Sequence, residues 1–257
     1  MKPNPGFKFW TLEERNGLKF LSFEGWKGVK VFYSTRIGGV SPPPYDTLNL
    51  HFGRGDDMKN VKLNRGRFFE AVSVDERNVV YTKQIHSNIV NIVSELSEGL
   101  EGDGIITTKK DLYLGVFTAD CLALFLYAPL KKIIAVFHIG RRGAERGIVK
   151  KGLESICGKF DIEPGDIETL FGPSIGPCCY EVGEEFLGRF DREYLIEREN
   201  KIYLDMWKMV RVELKKNGVK KILVPELCSC SQNDLFFSYR RSGERVGENL
   251  GIIGMTN

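Results

Sequence analysis

Apolar and polar positions along the chain change period several times. Short runs rich in β-branched and aromatic residues, each bounded by turn residues, predict strands. They fall at 30–34 (KVFYS), 78–82 (NVVYT), 89–93 (IVNIV), 104–108 (GIITT), 112–117 (LYLGVF), 121–127 (CLALFLY), 133–138 (IIAVFH), 168–172 (ETLFG), 221–224 (KILV) and 235–239 (LFFSY). Apolar residues at helical spacing predict three helices. The first runs from about Met58 to Val72, with Asp56 or Asp57 as its cap and Val61, Phe68, Phe69 and Val72 on one face. The second runs from Ala144 to about Cys157, on a stripe of Ile148, Val149, Gly152, Leu153 and Ile156. The third starts near Asp205 and ends at Asn217 and Gly218, with Trp207, Val210 and Leu214 sharing a face and Gly218 at the left-handed cap position. Many strands between few helices make the fold class α+β. The stretch 39–57 reads as a long, proline-rich loop, and a long structured loop in a compact domain is often functional.

Composition narrows the function classes. The chain has 257 residues, enough for a large core, and is 42% hydrophobic and 28% charged, ordinary values for a globular protein. A net charge of +3 with acids and bases interspersed does not suggest a nucleic-acid partner. The N-terminal stretch lacks the apolar region of a signal peptide, and the longest apolar run, CLALFLYA, is too short to span a bilayer. The expectation is a cytoplasmic protein without a membrane partner. No repeat or linker divides the chain, so residues 1–257 are expected to form a single catalytic domain. Six cysteines are too sparse for a disulfide scaffold, which makes a working cysteine a ligand or a nucleophile.

The chain has only three histidines, His51, His86 and His138. His86 lies between two predicted strands, Cys121 opens one after TAD, and His138 ends one before GRRG. One thiolate and two imidazoles suit zinc and leave its fourth tetrahedral position open, as catalytic zinc requires. Such an ion lowers the pKa of bound water to roughly 7. The spacing carries no HExxH or paired CxxC motif, and taken singly a cysteine beside an apolar strand is usually inert packing. HIGRRGAERG places a glycine-rich turn before a helix start, where backbone N–H groups with Arg141 and Arg142 suit an anion. Solvated arginines at a helix start explain it equally well. His51 is assigned to the surface. Cys178 and Cys179 read as two packed thiols in a Gly-Pro loop near the cleft, and the CxC of Cys228 and Cys230 has no assigned role.

Seven stretches, STRIGGVS, TKQIHS, DGIITT, FTADCLALFL, FHIGRRG, FGPSIGPCCYEVG and FFSYRRSG, resemble in order the motifs of the YfiH-like family, over about residues 30 to 245. That family has been called multicopper polyphenol oxidase, laccase-domain protein and peptidoglycan editing factor, and is now described as zinc-dependent purine nucleoside phosphorylase. The resemblance implies zinc ligands at His86, Cys121 and His138, and a fold of stacked mixed β-sheets flanked by helices. It implies phosphorolysis of adenosine, inosine and methylthioadenosine to base and sugar 1-phosphate, with adenosine deamination at the same site. The partners are then a purine nucleoside and phosphate, and a monomer is expected because no second chain is needed to complete the site. Within matching motifs, Arg142 is the first phosphate candidate, followed by Arg36 and Arg240. Asp120 is a candidate proton carrier or ligand-orienting group, and Gln84 and Asn49 are candidates for base or ribose. The family HAGWRG reads HIGRRG here, with Arg141 in place of a tryptophan.

Three other readings stay open from the residues. Cys121 with a histidine base suits a cysteine hydrolase or amidase acting on cell-wall precursors. Thiolate and imidazole also suit copper, as a polyphenol oxidase would need. Several copper ions, however, require more than three histidines. A zinc-stabilised binding module is the non-enzyme alternative, disfavoured because structural zinc takes four protein ligands.

Overall fold

The structure is a computed structural model and describes residues 7–256. Two six-stranded mixed sheets stack face to face. The first runs, edge to edge, through Thr11–Arg15, Leu18–Phe23, Val29–Ser34, Asn249–Met255, Tyr113–Thr118 and Val79–Tyr81. The second runs through Lys221–Leu223, Glu168–Phe171, Leu122–Ala128, Ile133–Ile139, Gly104–Thr107 and Val90–Ile92. A three-stranded sheet of Glu181–Val182, Lys201–Leu204 and Leu195–Arg198 lies apart.

Apolar contacts define the layers. Leu21, Val31, Leu114, Val116 and Ile253 of the first sheet pack against Phe125, Ile134, Val136 and Leu170 of the second. The outer face of the first sheet is covered by the helix Met58–Val72, through Phe68, Phe69 and Val72. The outer face of the second is covered by the helices Ile148–Phe160 and Met206–Lys216. The order is helix, sheet, sheet, helix. Both sheets are therefore covered on both faces, which is why Leu122–Ala128 and Ile133–Ile139 are apolar without alternation. Among the described residues no helix is long and apolar enough to cross a membrane.

Nine of the predicted strands form within a residue or two of their expected bounds, and the structure differs elsewhere for physical reasons. The expected strand 235–239 has no ladder partner. Instead Leu235 and Phe236 donate to the Gln232 carbonyl, Arg241 donates to the Phe236 carbonyl, and Ser238 caps a short helix, Tyr239–Ser242. The strand Asn249–Met255 sits in the middle of the first sheet although its sequence, NLGIIGM, lacks the strand signature. Glycine weakens a strand but permits close approach, and a Cβ on Gly251 would stand 2.8 Å from the Phe125 ring of the facing sheet. The hairpin of Thr11–Arg15 with Leu18–Phe23 was also not predicted.

The expected helix 144–157 is two helices. Gly147 adopts φ 75°, which ends Arg141–Glu145 after five residues and starts Ile148–Phe160. In the longer helix a Cβ on Gly152 would overlap the Phe137 ring. Gly152→Ala should therefore lose about 1–2 kcal/mol net, because overpacking exceeds the gain of about 1 kcal/mol in helix propensity. A urea melt checks this, and an unchanged or higher midpoint would contradict the packing.

Candidate active site

The chain passes from the first sheet to the second through Ala119, Asp120 and Cys121, between Tyr113–Thr118 and Leu122–Ala128. Asp120 takes a positive φ of 94°, uncommon for a residue with a side chain. Its carboxylate accepts hydrogen bonds from Ser229 Oγ (2.7 Å), Ser238 Oγ (3.0 Å) and the Arg240 backbone N–H (2.6 Å). Its carbonyl accepts from Ile175 N. Asp120 thus pins three loops around the crossover that carries Cys121.

His138 precedes the last residue of Ile133–Ile139, which pairs with Leu122–Ala128, so the ladder brings His138 beside Cys121. Buried Asp103 holds it. His138 Nδ1 donates to Asp103 Oδ1 at 2.8 Å, which leaves Nε2 for another partner. The same carboxylate accepts the backbone N–H groups of His86 (3.0 Å) and Ser87 (2.6 Å) and the Ser87 hydroxyl (2.7 Å). His86, at φ 56°, is thereby fixed by the residue that fixes His138. Strained backbone of this kind persists only where the surroundings over-determine it, and clusters at functional sites.

The ligand-capable atoms of His86, Cys121 and His138 lie within 4.8 Å of one another. Cys121 Sγ is 3.8 Å from His86 Nε2, and the two imidazole rings are 5.0 Å apart at 77°. Burial raises the Cys121 thiol, but the two imidazoles pull it down to about 7. Burial opposes a charge on His138, but the Cys121 sulfur and the Asp103 carboxylate raise it to about 10. Burial also raises Asp103, and its donors outweigh that and bring it to about 2. The cluster therefore favours thiolate, the form that binds metal.

These residues fit a metal. Tetrahedral zinc with ordinary bond lengths spaces nitrogen and sulfur ligands about 3.5 Å apart, close to the observed Cys121–His86 separation. A histidine oriented by a carboxylate through its other ring nitrogen is the usual support of a ligand. Gly140 leaves the room. A Cβ there would stand 2.7 Å from His86 Cδ2 and 2.9 Å from Cys121 Sγ. Gly140→Ala, at an extended backbone that alanine adopts freely, should weaken metal binding by at least about 10-fold while the fold remains. Competition with a chromophoric chelator reads the affinity, and an unchanged value would contradict this placement of the ligands.

The triad borders a cavity of about 690 Å³, within the usual range for a small-molecule site. Of the residues expected from sequence, Asp120, Gln84 and Arg240 join His86, Cys121 and His138 on its wall. Gln84 spends both ends of its amide on the Phe117 backbone, at 2.8 Å each. Asp120 has its carboxylate engaged by three donors. Three other expected residues lie off the wall. Asn49 is fully buried and bonded to Asp56, His51 and Glu248. Arg36 is tied to Asp46 and the Asn233 carbonyl. Arg142 is exposed, because the short helix from Arg141 turns it away, and it is Arg141 that borders the cavity.

His51, expected on the surface, also lines the cavity. Burial lowers its pKa, with Glu248 opposing, and its neutral Nδ1 accepts from Gly53 N at 3.0 Å. Glu248 itself pairs with Arg54. Cys178 and Cys179, expected near the cleft, lie off its wall. Asp103 was given no role from sequence. It sits in the quoted DGIITT motif, but its work is done on the backbone of a distant loop, which residue type alone does not reveal.

Comparison with known proteins agrees with this architecture. The model of the family described as multi-copper polyphenol oxidoreductase laccase matches residues 30–256. A purine nucleoside phosphorylase of Clostridium acetobutylicum is 33% identical over 239 residues, covering 91% of this chain and 94% of that protein. The purine nucleoside phosphorylase YfiH of Escherichia coli is 33% identical over 222 residues, covering 84% and 89%. Among solved structures, YlmD from Geobacillus stearothermophilus superposes with a TM-score of 0.90 at 28% identity, covering 97% of this chain and all of that one. Sequence motifs, layered sheets and these matches agree, and the chain belongs to the multi-copper polyphenol oxidoreductase laccase family, the group that includes YfiH and YlmD.

Proposed function

We propose that this protein is a zinc-dependent purine nucleoside phosphorylase. The observation that carries the reading is the His86–Cys121–His138 cluster, set in the wall of a nucleoside-sized cavity that also presents arginines and aromatic rings. Relatives at 33% identity bear the phosphorylase name. In the reaction a phosphate oxygen forms a bond to C1′ of the sugar as the bond from C1′ to the purine breaks. Base and sugar 1-phosphate result. A bound zinc would supply Lewis acidity and a fixed positive charge beside the reacting centre.

The chain's own residues do the rest. Tyr180, Tyr239 and His51 offer ring faces and edges for a purine. Arg54, Lys83 and Arg141 border the cavity but are paired with Glu248, Glu101 and Glu145. Arg240 has no ion pair among the described residues. Its guanidinium donates to the Glu181 carbonyl (2.7 Å) and the Cys179 carbonyl (3.3 Å) and lies over the Tyr180 ring. That leaves its charge free for phosphate. A charge-assisted hydrogen bond contributes about 1.5–3 kcal/mol. Arg240→Ala should therefore raise KM for phosphate about 10–100-fold and KM for nucleoside far less. An equal rise in both would assign Arg240 to structure alone.

Deamination of adenosine and cleavage of methylthioadenosine fit the same cavity. The open fourth position of a three-ligand zinc suits hydrolysis at C6 of adenine. A second reading has one observation in its favour. Cys121, brought down to about 7 and 3.8 Å from His86 Nε2, resembles a cysteine nucleophile with its base. A copper polyphenol oxidase is less well supported, because the chain's three histidines cannot furnish several copper centres.

Product analysis tests the proposal. The zinc-loaded protein is incubated with adenosine, with and without phosphate, and the products are separated. Adenine and ribose 1-phosphate should appear only with phosphate, and inosine should appear in both. No product in either reaction would sink the proposal and favour the cysteine hydrolase.

A further inference from the structure

Four of the six cysteines gather away from the His–Cys–His cluster. The sulfurs of Cys178, Cys179 and Cys228 lie within 4.8 Å of one another. Those of Cys178 and Cys179 are 3.5 Å apart, and Cys230 follows two residues after Cys228 on the same loop. They come from two loops, 172–180 and 225–232. Main-chain hydrogen bonds lock these loops together, from Ser174 N to the Leu227 carbonyl and from Ser229 N to the Ser174 carbonyl, both at 3.0 Å. The thiols are thus held together by the backbone rather than by a disulfide.

We infer that this cluster is a second metal site, built to bind a soft d¹⁰ cation, Zn²⁺ or Cu⁺, through three or four thiolates. Three separate features point there. First, tetrahedral metal–sulfur bonds of about 2.3 Å space the sulfurs about 3.8 Å apart, and the cluster already stands near that spacing. Second, buried Cys228 accepts backbone N–H groups from Gly176 (3.2 Å) and Ser231 (3.5 Å) at its sulfur. Such donors stabilise a thiolate. Third, guanidinium groups bond to the carbonyls of three of the four cysteines: Arg198 to Cys178 (3.2 Å), Arg240 to Cys179 (3.3 Å) and Arg241 to Cys230 (2.9 Å). A thiolate set around one or two positive charges keeps a net negative charge, and Arg198 and Arg241, which do not line the cavity, oppose it. The cluster contains no carboxylate or imidazole, so hard cations are disfavoured. Binding would release the thiol protons to solvent.

The site has a structural consequence for the cavity. Arg240 and Tyr180 border it, and Arg240 is held by the carbonyl of Cys179. An ion joining the two loops would stiffen that wall. This consequence rests on the phosphorylase reading, whereas the binding itself does not.

Metal stoichiometry tests the inference without any activity readout. The full chain is reduced, stripped, loaded with Zn²⁺ or, without oxygen, with Cu⁺, and desalted before metal analysis. The wild-type chain should hold two Zn²⁺ per molecule. The double variant Cys178→Ser/Cys179→Ser should hold one, with an unchanged circular dichroism spectrum, and Cys121→Ser should also hold one. In Co²⁺-loaded Cys121→Ser, the sulfur-to-metal charge-transfer absorption should report at least three thiolates. One equivalent in the wild type that disappears in Cys121→Ser would overturn the inference. So would a Cys178→Ser/Cys179→Ser variant that holds as many ions of each metal as the wild-type chain.

Discussion

Cys121→Ser should lose the ion held with His86 and His138 and slow phosphorolysis by about 10²–10³-fold. Serine is nearly isosteric but presents a neutral hydroxyl where the metal needs a thiolate. On the proposed zinc mechanism the ion would contribute several kcal/mol of Lewis acidity to the barrier, which sets that rate loss. The fold should survive, because Cys121 is half-buried at a crossover whose geometry is held by Asp120 and its three donors. Metal analysis and kcat measured on the same preparation check the claim. If Cys121 were instead a nucleophile, activity would fall while the stoichiometry stayed at the wild-type value. The pair of readouts separates the two mechanisms, which activity alone cannot do.

Asp103→Ala should be the most damaging substitution outside the ligands. Asp103 is fully buried and serves five donors: His138 Nδ1, the backbone N–H groups of Ile85, His86 and Ser87, and the Ser87 hydroxyl. Breaking a buried ionic pair from one side costs about 3–5 kcal/mol, because the partner stays buried and uncompensated. Loss of the group that orients a ligand costs about 10–100-fold in metal affinity. Both ligand histidines lose their support at once here, so the affinity loss should reach the upper part of that range. Asp103→Asn keeps an oxygen acceptor and should lie between wild type and alanine in both respects. A thermal melt and a chelator competition measure the two effects. Wild-type affinity in Asp103→Ala would show that the carboxylate does not position the histidines.

How much of this was legible in the sequence depends on what each residue does. That His86, Cys121 and His138 would meet was readable because their residue types together suit a metal, and their motifs recur in the order of a known family. The strands Leu122–Ala128 and Ile133–Ile139 were readable from short apolar runs bounded by turn residues, whereas the stacking of covered sheets was implied only by the family resemblance. Asn249–Met255 was not readable, because its glycines serve close packing between the sheets and weaken the local strand signal. The choice between Arg141 and Arg142 turned on where the short helix begins, at Arg141, which composition does not locate. Asp103 and Asp120 act on groups far away in the chain, through hydrogen bonds that exist only once the loops have met.

Phosphorolysis before and after metal removal tests most directly whether zinc at His86, Cys121 and His138 is catalytic. Adenosine cleavage would be followed in phosphate buffer with the protein as prepared, after stripping with a chelator, and after stepwise return of zinc. Stripping should abolish ribose 1-phosphate formation, and zinc should restore it to the starting rate. A stripped protein, shown free of metal, that still forms ribose 1-phosphate at the original rate would contradict a catalytic role for zinc there.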